Sequence, residues 1–193
     1  MKRHGIGYKF AAGLCCAMIF FAPVMAFCES KKFVDSNEYK DKDFKKCNIS
    51  DYSDMSEGDD INWLWTEPGI KLSQYKLAVG NVENKSDMRN KSMVGSVKST
   101  FKNAFDDLQI NGDSGTLTAD ICIYDAQNFN AGKAWIPFVG GNQMQAGIGV
   151  EIVLHDKNNR TVAKFRHFAR EGTQIDNATQ ELVDDLLKYI GKH

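Results

Sequence analysis

The chain has 193 residues, and its 24 basic and 25 acidic side chains give a formal net charge of −1. This balance argues against a nucleic-acid partner, because nucleic-acid phosphates require a basic patch. The length suits one domain with a sizeable core.

Residues 1–28 have the layout of a secretory signal peptide or lipoprotein leader. Lys2, Arg3 and Lys9 come first, and residues 10–28 then carry no charge. A basic start followed by an apolar segment and small residues is typical of an export signal. We therefore expect an exported protein that lies in the periplasm or is associated with the outer membrane. No second apolar stretch of the sequence is long enough to span a bilayer.

The leader allows three kinds of processing. Cleavage after Ala26 would release a soluble chain that starts at Phe27, whereas a degenerate lipobox would place a lipid on Cys28. Phe27 departs from the small residue that a lipobox requires before its cysteine. The third possibility is an uncleaved anchor, since the apolar run approaches the roughly 20 residues of a membrane span.

The cysteine count bears on this choice. Cys15 and Cys16 would be removed with the leader, which leaves Cys28, Cys47 and Cys122. Thiols tend to pair in an oxidising compartment, so a lipid on Cys28 would leave Cys47 and Cys122 to form a disulfide. The alternative is that these cysteines are ordinary free or buried thiols.

Residues 29–60 are predicted to form a polar tether, and residues 61–193 one α+β domain. The tether is rich in Lys, Asp, Glu and Ser, and its few apolar residues follow no period. Such a segment buries too little apolar surface to offset its loss of entropy on ordering.

Four strands and two helices are predicted after residue 61. Alternating apolar residues indicate strands near residues 75–79, 117–124, 148–154 and 162–168, and apolar residues spaced by three and four indicate helices near 90–109 and 175–190. The order β-α-β-β-β-α makes the first two strands parallel and the last two a hairpin. We expect a two-layer sandwich, a mixed sheet of about four strands with both helices on one face. Cys122 falls on the other face.

The connection formed by residues 135–147 is apolar where a surface connection is usually polar. Its large side chains include Trp135, Ile136, Phe138 and Met144. Since loops lie on the surface, the four residues are predicted to contact a partner. Alternatively, Trp135, Ile136 and Phe138 fold back over the sheet or the edge of the core. The glycines of this segment could also admit a ligand close to the backbone.

No catalytic, cofactor or metal site is predicted. The sequence lacks G-x-S-x-G, H-E-x-x-H, C-x-x-C and phosphate-loop motifs. His155 and His167 lie on the two hairpin strands and could share a metal, but we interpret them as ordinary strand histidines because no further ligand is suitably spaced. The alternative function, a small-ligand-binding protein or an enzyme, would use the Gly-rich 135–147 loop together with one of these histidines.

Two stretches resemble known families of bacterial envelope proteins. Residues 51–55 (DYSDM) and 65–76 (WTEPGIKLSQYK) are similar to the entry segment of envelope lipoproteins in domain-of-unknown-function family 3313. Residues 147–156 (GIGVEIVLHD), 161–165 (TVAKF) and the last helix resemble the related family 4410. Phe27 in the lipobox, and Asn158-Asn159 where a glycine is common, depart from these families.

The resemblance implies a cell-envelope protein of unknown activity and supplies no catalytic residues. We therefore expect a non-catalytic binding or assembly module whose partner is an envelope protein or another envelope component, with membrane attachment through a lipid or N-terminal anchor as an option. The remaining alternative is a secreted eukaryotic glycoprotein, because Asn-x-Ser/Thr sequons occur at Asn48, Asn84, Asn90, Asn159 and Asn177.

Overall fold

The computed structural model describes residues 44, 46, 47, 49–108, 114–129 and 144–193. The predictions for the leader, including lipidation of Cys28, lie outside these residues. So do residues 29–43 of the predicted tether and three of the four predicted contact residues, Trp135, Ile136 and Phe138.

The described chain forms an α+β sandwich of one five-stranded sheet and two helices. The strand order is β1-β5-β4-β3-β2, with β2 and β3 parallel and the other neighbours antiparallel. The elements are β1 (Trp63–Thr66), β2 (Lys76–Asn84), α1 (Met93–Asp107), β3 (Thr116–Gln127), β4 (Gly147–His155), β5 (Thr161–Arg170) and α2 (Ile175–Lys192). The predicted α+β class is confirmed. The sheet has five strands, because four residues of β1 pair with the edge of β5.

Both helices cover the same face of the sheet, as the sequence predicts. Met93, Val97, Phe101 and Phe105 recur every four residues and form the buried side of α1. They pack with α2 and with the inward residues of β3 and β4, such as Ile121 and Ile152, in one core. Within the described residues no helix is long and apolar enough to cross a membrane.

The opposite face of the sheet is covered by the chain that precedes β1. We call the described residues of 44–55 the strap. Phe44, Ile49, Tyr52 and Met55 of the strap are buried, and they form a second apolar cluster with Trp63 and Val153. A solvated tether would leave these side chains in water. The strap is therefore part of the folded domain rather than of a linker, and the burial of its side chains depends on the sheet lying beneath them.

A disulfide joins the strap to the centre of the sheet. Cys47 is bonded to Cys122 of β3, 75 residues further along the chain, with their Cα atoms 5.8 Å apart. The alternation of apolar residues in β3 placed Cys122 on the face opposite the helices, and the structure shows it there, beneath the strap. Cys47 and Cys122 therefore form a disulfide in the structure and are not free or buried thiols.

The turn between β4 and β5 lies where the resemblance to family 4410 leads to the expectation of a glycine. Asn159 has φ of 62°, a left-handed conformation that asparagine adopts more readily than other non-glycine residues. Asp156 Oδ1 accepts the backbone N–H groups of Asn158 at 2.8 Å and Arg160 at 3.0 Å. These bonds hold the pKa of Asp156 below its ordinary value of 3.8, and the bond from the Arg160 backbone contributes most. Asparagine can thus take the place of the common glycine.

Candidate functional site

A buried ion pair lies between the strap and the sheet. Glu151 of β4 and Arg166 of β5 are register partners in the hairpin, and only 1% and 4% of their surfaces are exposed. Strand alternation directs both away from the helices, where an uncovered sheet would leave them in water. The strap therefore turns a surface pair into a buried one.

Three hydrogen-bond donors bind the carboxylate of Glu151. Arg166 Nη1 donates to its Oε1, as does the hydroxyl of Tyr52 at 2.6 Å. The backbone N–H of Ile49 donates to Oε2 at 3.3 Å. A buried carboxylate requires such compensation, because desolvation of an unpaired charge costs several kcal/mol. Two of these donors belong to the strap, so Glu151 helps to fix the position of the strap.

The guanidinium of Arg166 lies between two aromatic rings. Its Cζ is 3.9 Å from the ring centroid of Phe44 in the strap and 3.6 Å from that of Tyr124 in β3. Both distances are within the range of cation–π attraction, which is strongest where water is excluded. The Glu151–Arg166 pair is thus surrounded by the strap and the neighbouring strand β3, which suits a structural role.

The ring of Tyr124 lies over Gly149, so we expect Gly149→Ala to reduce the free energy of unfolding by about 1 to 3 kcal/mol. A Cβ at residue 149 would lie 2.6 Å from Tyr124 Cε2. Tyr124 would have to move off the Arg166 guanidinium. Urea denaturation measures the loss, and Gly95→Ala is the control because a Cβ there meets nothing within 4 Å. Equal stabilities for Gly149→Ala and the unchanged protein would contradict the stacked arrangement.

A cavity of about 330 Å³, which we call the outer cavity, opens on the strap side of the sheet. It lies at the end of the sheet where β4 finishes. Its walls come from the strap and four strands or their ends, and the lining residues are Ile49, Ser50, Asp51, Asp54, Trp65, Asp120, Val153, His155, Thr161 and Lys164. The volume is within the range of small-molecule sites.

Lys164 is held at the wall of the outer cavity. Its Nζ donates to Asp54 Oδ1 at 2.6 Å and Oδ2 at 2.8 Å, and to the backbone carbonyl of Asp51 at 3.0 Å. The same ammonium lies 5.2 Å from the ring centroid of Trp65. The ammonium of Lys164 is therefore paired with the Asp54 carboxylate, which compensates its charge.

Two other carboxylates face the same space. Asp120 Oδ1 accepts the backbone N–H of Asn81 at 2.8 Å, while Asp120 Oδ2 lies 3.7 Å from His155 Nε2. Asp51 accepts the N–H of Ser53, and this bond is the main reason that the pKa of Asp51 is below its ordinary value of 3.8. Asp51 is therefore ionised at neutral pH.

The two histidines that the sequence singled out lie on opposite faces of the sheet. His155 lines the outer cavity, whereas His167 Nε2 is 2.9 Å from Asp185 Oδ2 in α2, on the helix side. His167 Nδ1 is 3.1 Å from Asn62 Oδ1. The two therefore cannot share a metal, and the described residues contain no group of three or more His, Cys, Asp or Glu side chains suited to a metal ion.

The sequence analysis missed the residues that matter most on the strap side. Glu83, Cys122, Glu151, Arg166 and Trp63 are successive register partners, so they form one row across all five strands. The alternation that assigned Cys122 to this face assigns Glu151 and Arg166 to it as well. A disulfide at Cys122 implied a covering segment, and that signal could have identified the pair as buried. Of the predicted contact residues, Met144 alone is described, and it is half-buried.

The side chain of one sequon asparagine, Asn84, is already engaged in hydrogen bonds. Asn84 Nδ2 donates to the backbone carbonyl of Met88 at 2.8 Å, and Asn84 Oδ1 accepts from Ser86. A glycan would be attached to that same nitrogen and would disturb the turn.

The fold and its strap side define a disulfide-clamped, two-layer α+β protein. No protein-family model matches the chain, and no curated protein matches it either. Families 3313 and 4410 are thus without support from a family model. Solved structures that are similar include two PelC dodecamers from Paraburkholderia phytofirmans, each 12% identical. They cover 66% and 64% of this chain and 94% and 93% of their own, with TM-scores of 0.47 and 0.46.

A third similar structure is a candidate lipoprotein from Caulobacter crescentus CB15. It is 13% identical, with coverage of 63% of this chain and 90% of its own and a TM-score of 0.34. At these identities and TM-scores the likenesses assign no activity, ligand or partner to this chain.

Proposed function

We propose that the protein is exported to the bacterial cell envelope and acts there as a non-catalytic binding or assembly module. The observation that carries the export part of the proposal is the Cys47–Cys122 disulfide. Disulfides persist in oxidising compartments such as the periplasm and are rare in the cytosol. The disulfide and the leader-like residues 1–28 therefore point to the same compartment by independent routes.

The disulfide also bears on membrane attachment. If Cys15 and Cys16 leave with the leader and Cys47 pairs with Cys122, Cys28 is the remaining thiol. Lipidation would account for it, since a lipidated cysteine cannot pair. We propose that a lipid on Cys28 tethers the domain to a membrane, with residues 29–43 leading to the strap.

The intact mass of the protein purified from envelope fractions of its native host tests both points. We expect a chain that starts at Cys28 with added acyl mass and that lacks two hydrogens because of the disulfide. A chain that starts at Phe27 would support export without the lipid. Full-length protein in the cytosol, with Met1 retained and free thiols, would overturn the proposal.

The partner-binding surface in this proposal is the 135–147 loop. Gln127 and Gly147 are register partners, so the connection that contains the loop leaves and re-enters the sheet at neighbouring positions. Phe129, at its start, is 40% exposed. Together with Trp135, Ile136, Phe138 and Met144 it would provide the aromatic and apolar anchors that concentrate binding energy.

We expect Trp135→Ala combined with Phe138→Ala to leave the melting temperature unchanged and to abolish association with the envelope partner. Photocrosslinking from residue 136 in cells of the native host measures the association, and Lys102→Ala on α1 is the control. A sharp fall in melting temperature would show instead that the loop belongs to the core. An unchanged crosslinking pattern would remove the loop as the contact surface.

A further inference from the structure

We propose that the outer cavity is a binding site for a small organic cation that carries an ammonium group. The site lies at the His155 end of β4, at the opposite end of that strand from the 135–147 loop. It does not depend on the proposed envelope role, because the argument uses only the walls and charges of the cavity.

The lining of the outer cavity combines apolar, aromatic and polar side chains. Ile49 and Val153 are almost fully buried and form apolar parts of the lining, and Trp65 supplies an indole ring. Asp51, Asp120 and His155 add polar groups. An apolar pocket with a few convergent polar groups is the usual form of a small-molecule site.

The charge of the outer cavity selects cations. Three carboxylates (Asp51, Asp54 and Asp120) and one ammonium (Lys164) line it, so the formal charge is −3 + 1 = −2 with His155 counted as uncharged. Because Lys164 is paired with the Asp54 carboxylate and also donates to the backbone carbonyl of Asp51, its charge is locally compensated. An anionic ligand would meet repulsion here, and a cation would be attracted.

Asp120 offers the acceptor for such a ligand. Its Oδ2 is 3.7 Å from His155 Nε2, longer than a hydrogen bond, so this oxygen can accept from an ammonium. The Trp65 ring also lines the outer cavity and offers an apolar surface to the carbon chain of such a ligand. The aromatic side and the carboxylates together therefore match an ammonium with a short apolar chain.

Three probes of similar size test the charge preference. We expect n-butylammonium to cause saturable amide shift changes at Ser50, Asp120 and His155 in two-dimensional NMR spectra of the oxidised domain, with a dissociation constant on the order of millimolar. Butyrate and n-butanol should cause none at these residues. Equal shifts with all three probes, or no saturable shift with butylammonium, would overturn the proposal.

Asp120→Asn tests the assigned acceptor. The amide oxygen of Asn can still accept the Asn81 N–H, so the fold is retained while the charge is lost. We expect binding of butylammonium to weaken about fivefold. Asp106→Asn, an exposed position on α1, is the matched control and should leave the affinity unchanged. Equal affinities for Asp120→Asn and the unchanged protein would overturn the role of Asp120 and with it the proposed site.

The ammonium could belong to a free amine or to a lysine side chain of another protein. Nα-acetyllysine amide distinguishes these sources. Binding tighter than that of butylammonium would favour a peptide source, and weaker binding a free amine, and both results support the ammonium chemistry. Failure of these titrations would leave the export and disulfide tests untouched, so the two proposals fail separately.

Discussion

Replacement of Glu151 by Gln is expected to lower the free energy of unfolding by about 3 to 5 kcal/mol, because it leaves the Arg166 guanidinium buried without its counter-charge. The side chains of Arg166 and Glu151 are 5% and 1% exposed, so water cannot replace the lost carboxylate. Urea denaturation of the oxidised protein, compared with that of Glu151→Gln, measures the loss.

The exposed pair Lys102–Asp106 provides the control. Its side chains are 64% and 59% exposed, so Asp106→Asn should change stability by less than about 1 kcal/mol. Replacing both buried partners, Glu151→Met with Arg166→Met, should cost less than Glu151→Met alone. Both variants leave Tyr52 and Ile49 without their acceptor, but only the single variant leaves the Arg166 charge unpaired. If Glu151→Gln and Asp106→Asn have equal effects, the Glu151–Arg166 pair is not enclosed as the structure shows.

Loss of the Cys47–Cys122 bond is expected to lower stability by about 4 kcal/mol. The bond closes a loop of 75 residues, and in the chain-entropy account a longer loop gives more stabilisation by restricting the unfolded chain. Denaturation of Cys47→Ser with Cys122→Ser, compared with the oxidised protein, measures the difference.

The oxidised protein treated with a reductant should match the double serine variant, and the serine variant itself should not respond to the reductant. The effects of the double serine change and of Glu151→Gln should not add, because both loosen the contact of the strap with the sheet. A denaturation midpoint that is independent of the reductant, in protein whose mass confirms the bond, would contradict a stabilising disulfide.

The elements of the sandwich could be predicted from local patterns. Alternation of apolar residues around Ile121 and Ile152, and four-residue spacing from Met93 to Phe105, each occur within one element, and each period corresponds to one backbone geometry. The predicted parallel pairing of the strands on either side of α1 is confirmed for β2 and β3. β1 was missed as a strand of the sheet because four residues carry too little pattern.

The strap could not be predicted, because its order comes from distant partners. Tyr52 bonds to Glu151 99 residues away, and Ile49 to the same carboxylate 102 residues away. Seen alone, residues 44–55 have scattered apolar side chains without a period, which is typical of a linker. Their burial requires the folded sheet, whose outward face provides Val153, Trp63 and the carboxylate of Glu151 as an acceptor.

The candidate site also has one part that the sequence predicted and one part that it did not. Cys122 was assigned to the outward face because side-chain direction in a strand alternates with every residue. The outer cavity draws Asp51, Trp65, Asp120 and Lys164 from four separate parts of the chain. By itself, the sequence therefore determined the four longer strands, the two helices and the faces on which their side chains lie, since these follow from short periods. Only the tertiary structure decided that the strap covers the outward face, buries a charged pair and borders an acidic cavity, because each of these depends on contacts between residues far apart in the chain.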